Sequence, residues 1–333
     1  MDKINKIVLI VAYIIILIFL LIIFDIFFCN RLLHLGSIRY NFSNDMTAYS
    51  YPYVGFVGQD IATSDKNCKY YNGNKLYDNI DNKIRIAFFG GSATVGSDTP
   101  GAHTIPQYIE EDLKEKLKKD VVVINYSCCA CINRQHLHML LEFMPKFKPD
   151  IIIYYSGNNE ILQPYWHDPR PGYPFNYYYT NDLKTWEKFL LQYSAIIGLI
   201  DDKLHIWNIS TVRDRIGYGS EEWEDEIINN FFETLILSKA VINTFHSDLF
   251  GTPKFLDIFG PFKTRNEAEE RLLTKTKQQL PSYEFIYDFN NKYDSLPDEV
   301  WIDSNHVGDE ANRLMAKEIS DLIYEKYLKE YKK

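Results

Sequence analysis

The chain has 333 residues, 46% of them hydrophobic and 24% charged, a composition that supports a buried core and excludes disorder away from the ends. Its net charge of −9 leaves no Lys/Arg excess to neutralise phosphates, and no basic stripe offsets that balance, which excludes nucleic acid as a partner. The five cysteines imply no disulfide framework: Cys29 and Cys68 stand apart, while Cys128, Cys129 and Cys131 crowd one loop, where pairing of near neighbours is strained and C-C-x-C lacks the spacing of a zinc site.

In chain order, residues 1–6 form a short tail, and Ile7 to Phe24 then runs 18 residues without a charge. That is roughly 27 Å of helix at about 1.5 Å per residue, enough to cross a bilayer. The run exceeds the apolar region of a cleaved signal peptide, about 7–15 residues, and "DIFFCNRLLHLG" offers no A-x-A site. Residues 7–28 therefore read as an uncleaved signal anchor. Lys3 and Lys6 precede the span and Arg31 and Arg39 follow it, a nearly even balance read here as N-in with an extracytoplasmic domain. Residues 29–82, rich in Tyr, Asn and Asp, read as a juxtamembrane connecting segment.

From Lys83 short apolar runs alternate with amphipathic stretches. "IRIAFFG" (84–90), "VVVINY" (121–126) and "DIIIYYSG" (150–157) read as buried strands, and "TIPQYIEEDLKEKLKK" (104–119) and "RQHLHMLLEFMPKFK" (134–148) as helices between them. This is the pattern of βαβ units, a parallel sheet with helices on both faces. An insertion over about 161–220 interrupts it. A long helix over 221–246, a strand at 254–262, a helix over 264–279, a strand at 283–289 and a terminal helix complete one three-layer α/β domain, 83–333.

In an open parallel sheet ligands sit at the carboxyl ends of the strands, so the loops after 90, 126 and 157 share one rim. The first carries "GGSATVGSD". It is not a phosphate loop, because Ser97 stands where Lys is required, and it has neither G-x-G-x-x-G nor G-x-S-x-G spacing. Alone, Gly90-Gly91-Ser92 is equally a chain turn with a helix cap or a nucleophile on a tight turn. A serine nucleophile needs a base within hydrogen-bond reach, itself oriented by a third group, and "DSNH" supplies Asp303 and His306 at i, i+3 after the last strand. Oxyanion donors are available from Asn158 in "YSGNNE", the Ser92 amide at a helix start, and a second-loop amide.

Gly90-Gly91-Ser92, Ser156-Gly157-Asn158-Asn159 and Asp303-Ser304-Asn305-His306, in this order and spacing, resemble the first, third and fifth blocks of the SGNH/GDSL hydrolase superfamily. The resemblance covers about 83–160 and 250–320. It implies a flavodoxin-like α/β/α sandwich with a parallel sheet of about five strands, and hydrolysis or transfer of acyl groups from an ester of a small molecule, glycan or lipid. By matching, Ser92 is the nucleophile, His306 the base and Asp303 its orienter; Ser92, Ala130 and Asn158 are the oxyanion donors. No cofactor or metal is implied. Three positions depart from the family pattern: Gly91 replaces Asp, Asn159 replaces Asp, and Ala130 replaces a glycine. These departures motivate a second expectation, an SGNH-fold binding or assembly protein of the cell envelope with a weakened site.

His136 and His138 lie on a predicted helix, where i and i+2 diverge, so H-x-H is not read as a metal site. The insertion's "PYWHDPRPGYPFNYYY" offers flat aromatic area for stacking on a sugar or lining an acyl groove, and equally suits a loop packed on the domain or resting at the membrane interface; the packing reading is favoured. Glu160 reads as a solvated carboxylate.

Overall fold

The computed structural model describes residues 3–25, 48–51, 55–58, 70–72, 75–77, 80–95, 104–175, 177–178, 182–204, 206–207, 209–293 and 296–332. Most of the connecting segment lies outside them, as do residues 26–28 of the anchor, Arg31, Arg39, Cys29, Cys68, Ser97 and parts of the aromatic insertion.

Helix α1 (Lys3–Ile23) is long and apolar enough to cross a membrane, and none of Lys6–Ile23 is buried. Within the segment read as a connector, β1 (Ala48–Tyr51) pairs antiparallel with β2 (Gly55–Gly58), and β3 (Tyr70–Asn72) with β4 (Lys75–Tyr77). Then β5 (Ile84–Gly90) leads into the one-turn α2 (Ser92–Val95), followed by α3 (Ile105–Leu117), β6 (Val121–Asn125), α4 (Asn133–Phe147), β7 (Ile151–Ser156) and α5 (Asn158–Trp166). The α3 start is a capping box: the Thr104 hydroxyl accepts from Gln107 N while Gln107 Oε1 accepts from Thr104 N at 2.7 Å.

Three helices follow, α6 (Thr185–Tyr193), α7 (Ala195–Leu204) and α8 (Ser210–Arg215), before the long α9 (Glu221–Ile242). The chain closes through β8 (Lys254–Phe259), α10 (Glu267–Gln279), β9 (Ile286–Asp288) and α11 (Asp309–Ile323). The expected insertion at 161–220 is narrower than its sequence bounds. Residues 161–175 cluster with the sheet, and only 176–216 group with the N-terminal residues as a separate body. The reason is α5: it continues directly from β7 past residue 161 and buries Ile161 and Leu162.

The sheet has five parallel strands in the order β6-β5-β7-β8-β9. This is the flavodoxin-like order, with the direction of winding reversing between β5 and β7. Both faces are dry. On one, Ile84, Ile86 and Phe88 of β5 alternate into a core shared with Ile109 and Leu113 of α3 and Met315 and Ile319 of α11. On the other, Phe89, Tyr126, His136 and Tyr154 form an aromatic cluster with ring centroids 5.2 to 5.7 Å apart. His136 is thus a core residue, and burial pushes its imidazole down to about 3, while His138 on the same helix is exposed.

Continuous apolar strands such as β7, buried along their whole length, are what a two-sided parallel sheet demands. Truncating the central Ile153 to Ala should lower the urea unfolding free energy by about 2–5 kcal/mol, whereas Leu141→Ala on the exposed face of α4 should change it by under about 0.5 kcal/mol.

Candidate active site

The carboxyl ends of β5 and β7 flank the switch point, and each delivers polar groups to one cleft. From β5 the chain turns at Gly90 and Gly91, and α2 begins at Ser92. The turn is held by Thr94: its amide donates to Gly91 O at 3.2 Å, and its hydroxyl joins Gly91 O at 2.9 Å and Ser127 Oγ at 2.8 Å. Because Thr94 packs directly against Gly90, a Cβ at residue 90 would overlap its hydroxyl.

Across the cleft, residues 301–307 form a loop closed by a bridge between Trp301 and Val307, with Ile302 N donating to His306 O at 2.8 Å. Val307 anchors this loop in the core just before α11. Asp303 Oδ1 accepts from the amides of Asn305 at 2.8 Å and His306 at 2.9 Å, which turns the segment once and sets the imidazole against the carboxylate. His306 Nδ1–H donates to Asp303 Oδ2 at 2.7 Å, and Ser92 Oγ–H donates to His306 Nε2 at 2.7 Å. The carboxylate at Nδ1 fixes the tautomer that leaves Nε2 free to accept. Partial burial by itself would raise the Asp303 carboxyl; the amides of Asn305 and His306 and the imidazole outweigh it and hold the group below the usual carboxylate range. It is ionised at neutral pH.

Asn158 follows Gly157, whose φ of 123° only glycine adopts without strain, and opens α5. Its carboxamide lines the cleft with Ser92; one Nδ2 proton goes to Asn159 Oδ1 at 3.2 Å, leaving a second donor. Asn305 also lines the cleft, and its Nδ2 lies 3.2 Å from His306 Nε2. Ala130 stands apart from this set. It is buried, held in the left-handed region at φ 58°, with its carbonyl accepting from Gln163 Nε2 at 3.1 Å, and it is not among the residues lining the cleft.

Two departures from the family pattern are one packing solution. Asn159 Nδ2 donates to Cys131 O at 2.8 Å and occupies the space over Gly91, where any Cβ would overlap it. A side chain at residue 91 and Asn159 in this pose exclude each other. The loop after β6 also corrects the reading of the cysteines. Cys128 and Cys131 form a disulfide, because the left-handed Ala130 between them folds the backbone until their Cα atoms are 5.4 Å apart; Cys129 lies outside that bond.

Glu160 is a second correction. It lines the cleft and is partly exposed, but its carboxylate is held by two amides: Oε2 accepts from Gly157 N at 2.8 Å and Oε1 from Asn133 N at 2.9 Å, tying the loop after β7 to the start of α4. Desolvation outweighs these amides and pushes the carboxyl up to about 7. Its signal in the sequence is the capping spacing, an acid three residues after the Gly157 cap.

No family model and no curated protein matches this sequence. Solved structures that the chain resembles include the lipase Lip_vut3 from a goat rumen metagenome (14% identity over 72% of this chain and 97% of that chain, TM-score 0.43). An acetyl xylan esterase, AlAXEase, matches at 12% identity over 72% of this chain and all of its own (100%), TM-score 0.43. A GDSL-like lipase from Bacteroides thetaiotaomicron matches at 11% identity over 80% of this chain and 98% of that chain, TM-score 0.43. Likeness this distant transfers no activity, and the chemistry is read from this chain's own side chains.

Two outcomes follow from the packing around Ser92. Gly91→Ala should lower turnover by about tenfold or more by displacing Asn159, and in an Asn159→Ala background the same change should cost much less, a coupling read from a double-mutant cycle. Glu160 keeps its proton to about pH 7 in the fold and releases it near 4.5 when unfolded, so the folded state binds the extra proton in that window. Stability contributed by this group should therefore fall as pH rises from 4.5 through about 7. The unfolding free energy of the wild type relative to Glu160→Gln should decline by roughly 3 kcal/mol across that window, at about 1.4 kcal/mol per unit.

Proposed function

We propose that this chain is a membrane-anchored serine esterase that cleaves an acyl ester through Ser92, His306 and Asp303, or passes the acyl group to an acceptor hydroxyl. The observation that carries the reading is the unbroken relay from Asp303 Oδ2 through His306 to Ser92 Oγ, two contacts of 2.7 Å at the switch point of the sheet.

In this reading Ser92 Oγ attacks the ester carbonyl carbon while His306 Nε2 takes its proton, and the Asp303 carboxylate stabilises the imidazolium. The carbonyl oxygen becomes an oxyanion facing the Ser92 amide at the start of α2 and the free Nδ2 proton of Asn158. Collapse of the tetrahedral adduct breaks the bond to the leaving alkoxide, which recovers the proton from His306. Water or an acceptor hydroxyl, deprotonated by the same Nε2, then attacks the acyl carbon; the bond to Ser92 Oγ breaks, and Oγ recovers that proton from His306 to regenerate the hydroxyl. Ala130 has no part in this scheme.

The substrate class proposed is an ester of an extracytoplasmic glycan or lipid. Lys3 and Lys6 before the span, nearly balanced by Arg31 and Arg39 after it, are compatible with the N-in orientation. The Cys128–Cys131 disulfide supports the same side, since such bonds persist in oxidising compartments.

Turnover of short-chain aryl esters by the purified full chain tests the proposal. Ser92→Ala and His306→Ala should each lower kcat by about ten-thousand-fold, and Asp303→Asn by roughly a hundredfold, since this carboxylate is half exposed. Turnover insensitive to all three changes would refute the catalytic assignment, and no turnover at all would favour a binding protein on this fold.

A further inference from the structure

The body formed by α1 and the helices within 176–216 has a small core of its own, Leu183, Leu191 and Ile209, with Ile197 and Trp207 packed against it. Helix α7 is inside out. Its buried positions are Ala195, Gly198 and Asp201, while Ile196, Leu199, Ile200 and Leu204 are 45%, 55%, 38% and 67% exposed. Those four fall at i, i+3, i+4 and i+8, so they share one face. A surface helix in water shows the opposite arrangement, apolar inward and polar outward. The preceding helix, α6, also exposes large apolar side chains, Trp186 at 53% and Phe189 at 52%, with Trp186 edge-on to Trp207 at 5.9 Å.

What covers this face is indicated by its attachment. Asp25, two residues beyond α1, is 5% exposed, and its carboxylate caps α7: Ile196 N donates to Oδ1 at 3.0 Å and the Ser194 hydroxyl donates to Oδ2. Ser194 Oγ in turn accepts from Ile197 N at 3.0 Å. A carboxylate placed on the free amides of a helix start is well paired. The inside-out helix is therefore fastened where the apolar span gives out, at the depth where hydrocarbon meets headgroups. Lys203 lies on the same face near the far end of α7, where an ammonium can reach phosphates while its stem stays among apolar neighbours. A tryptophan and a lysine bordering an aliphatic face match the composition of helices that lie in the interface.

We infer that α6 and α7 form a monotopic membrane contact: the face of Ile196, Leu199, Ile200 and Leu204 on α7, together with Trp186 and Phe189 on α6, lies in the interface of the same bilayer that α1 crosses. The inference rests on the reading of α1 as a membrane span. A second copy of the chain could cover an apolar face equally well, but the Asp25 tether brings lipid to this one without any partner. The contact fixes the body's rotation about the anchor, which a single helix leaves free.

Photo-crosslinking of the full chain tests this. The protein is reconstituted in phosphatidylcholine vesicles doped with a phosphatidylcholine that carries a diazirine in its acyl chain, irradiated, and digested for mass spectrometry. The expected result is lipid adducts on α1 and also on residues 186–204. The double variant Ile196→Ser, Leu199→Ser should lose about tenfold of the 186–204 adducts while keeping those on α1 and the turnover of a soluble ester. Adducts on α1 alone would overturn the inference and leave the span intact. Adducts on neither would overturn both. Unchanged labelling of the double variant, or copy-to-copy crosslinks through α7 in place of lipid adducts, would show that this face does not rest on lipid.

Discussion

The hydrogen bond between Ser92 and His306 joins residues 214 apart in sequence, and every large feature of the sheet body contributes to closing that gap. Ser92 is fixed because β5 is central, hydrogen-bonded on both sides and buried along its full length, so the residue that leaves its end has little freedom. His306 is fixed because Val307 is packed into the same core and Trp301 pairs across the loop. Both side chains are positioned by the fold itself, and the donor and acceptor meet at 2.7 Å. Preorganisation of this kind is what a weak nucleophile requires, since the entropy of assembling base and hydroxyl is met in folding rather than at each turnover.

Much of this was legible in the sequence, and the reason is physical. Strands buried on both faces are written as uninterrupted apolar runs, so 84–90, 121–126 and 150–157 announced themselves within a residue or two. "DSNH" is read locally because its geometry is local: Asp303 caps the two amides that follow and presents His306 by the same turn. The short β9 was less legible, three residues where seven were expected: a turn with Ile286 N on Tyr283 O precedes it, and Phe285 and Phe289 at its two ends each make only a single bond to β8, through Phe285 O and Phe289 N.

What the sequence hid depends on contacts between loops. Gly91 and Asn159 look like two separate losses of an acid, but they share one space, and only coordinates reveal that the amide of one fills the position of the other's Cβ. The disulfide was hidden for a similar reason: three residues of separation suffice only with Ala130 in the left-handed region, which a residue bearing a Cβ does not announce. Glu160 was misread because one of the two amides that hold it, Asn133 N, comes from a different loop. The inverted polarity of α7 was present in the letters, yet a mixed apolar stretch has no face until its buried side is known.

The central claim is that Ser92 is an activated nucleophile. Its most direct measurement is intact-mass and peptide mass spectrometry of the full chain after treatment with a fluorophosphonate, an electrophile that only an activated serine attacks at an appreciable rate. The expected result is a single adduct on the peptide containing Ser92, absent in His306→Ala although the hydroxyl remains. An unlabelled Ser92, or labelling that persists without His306, would contradict it.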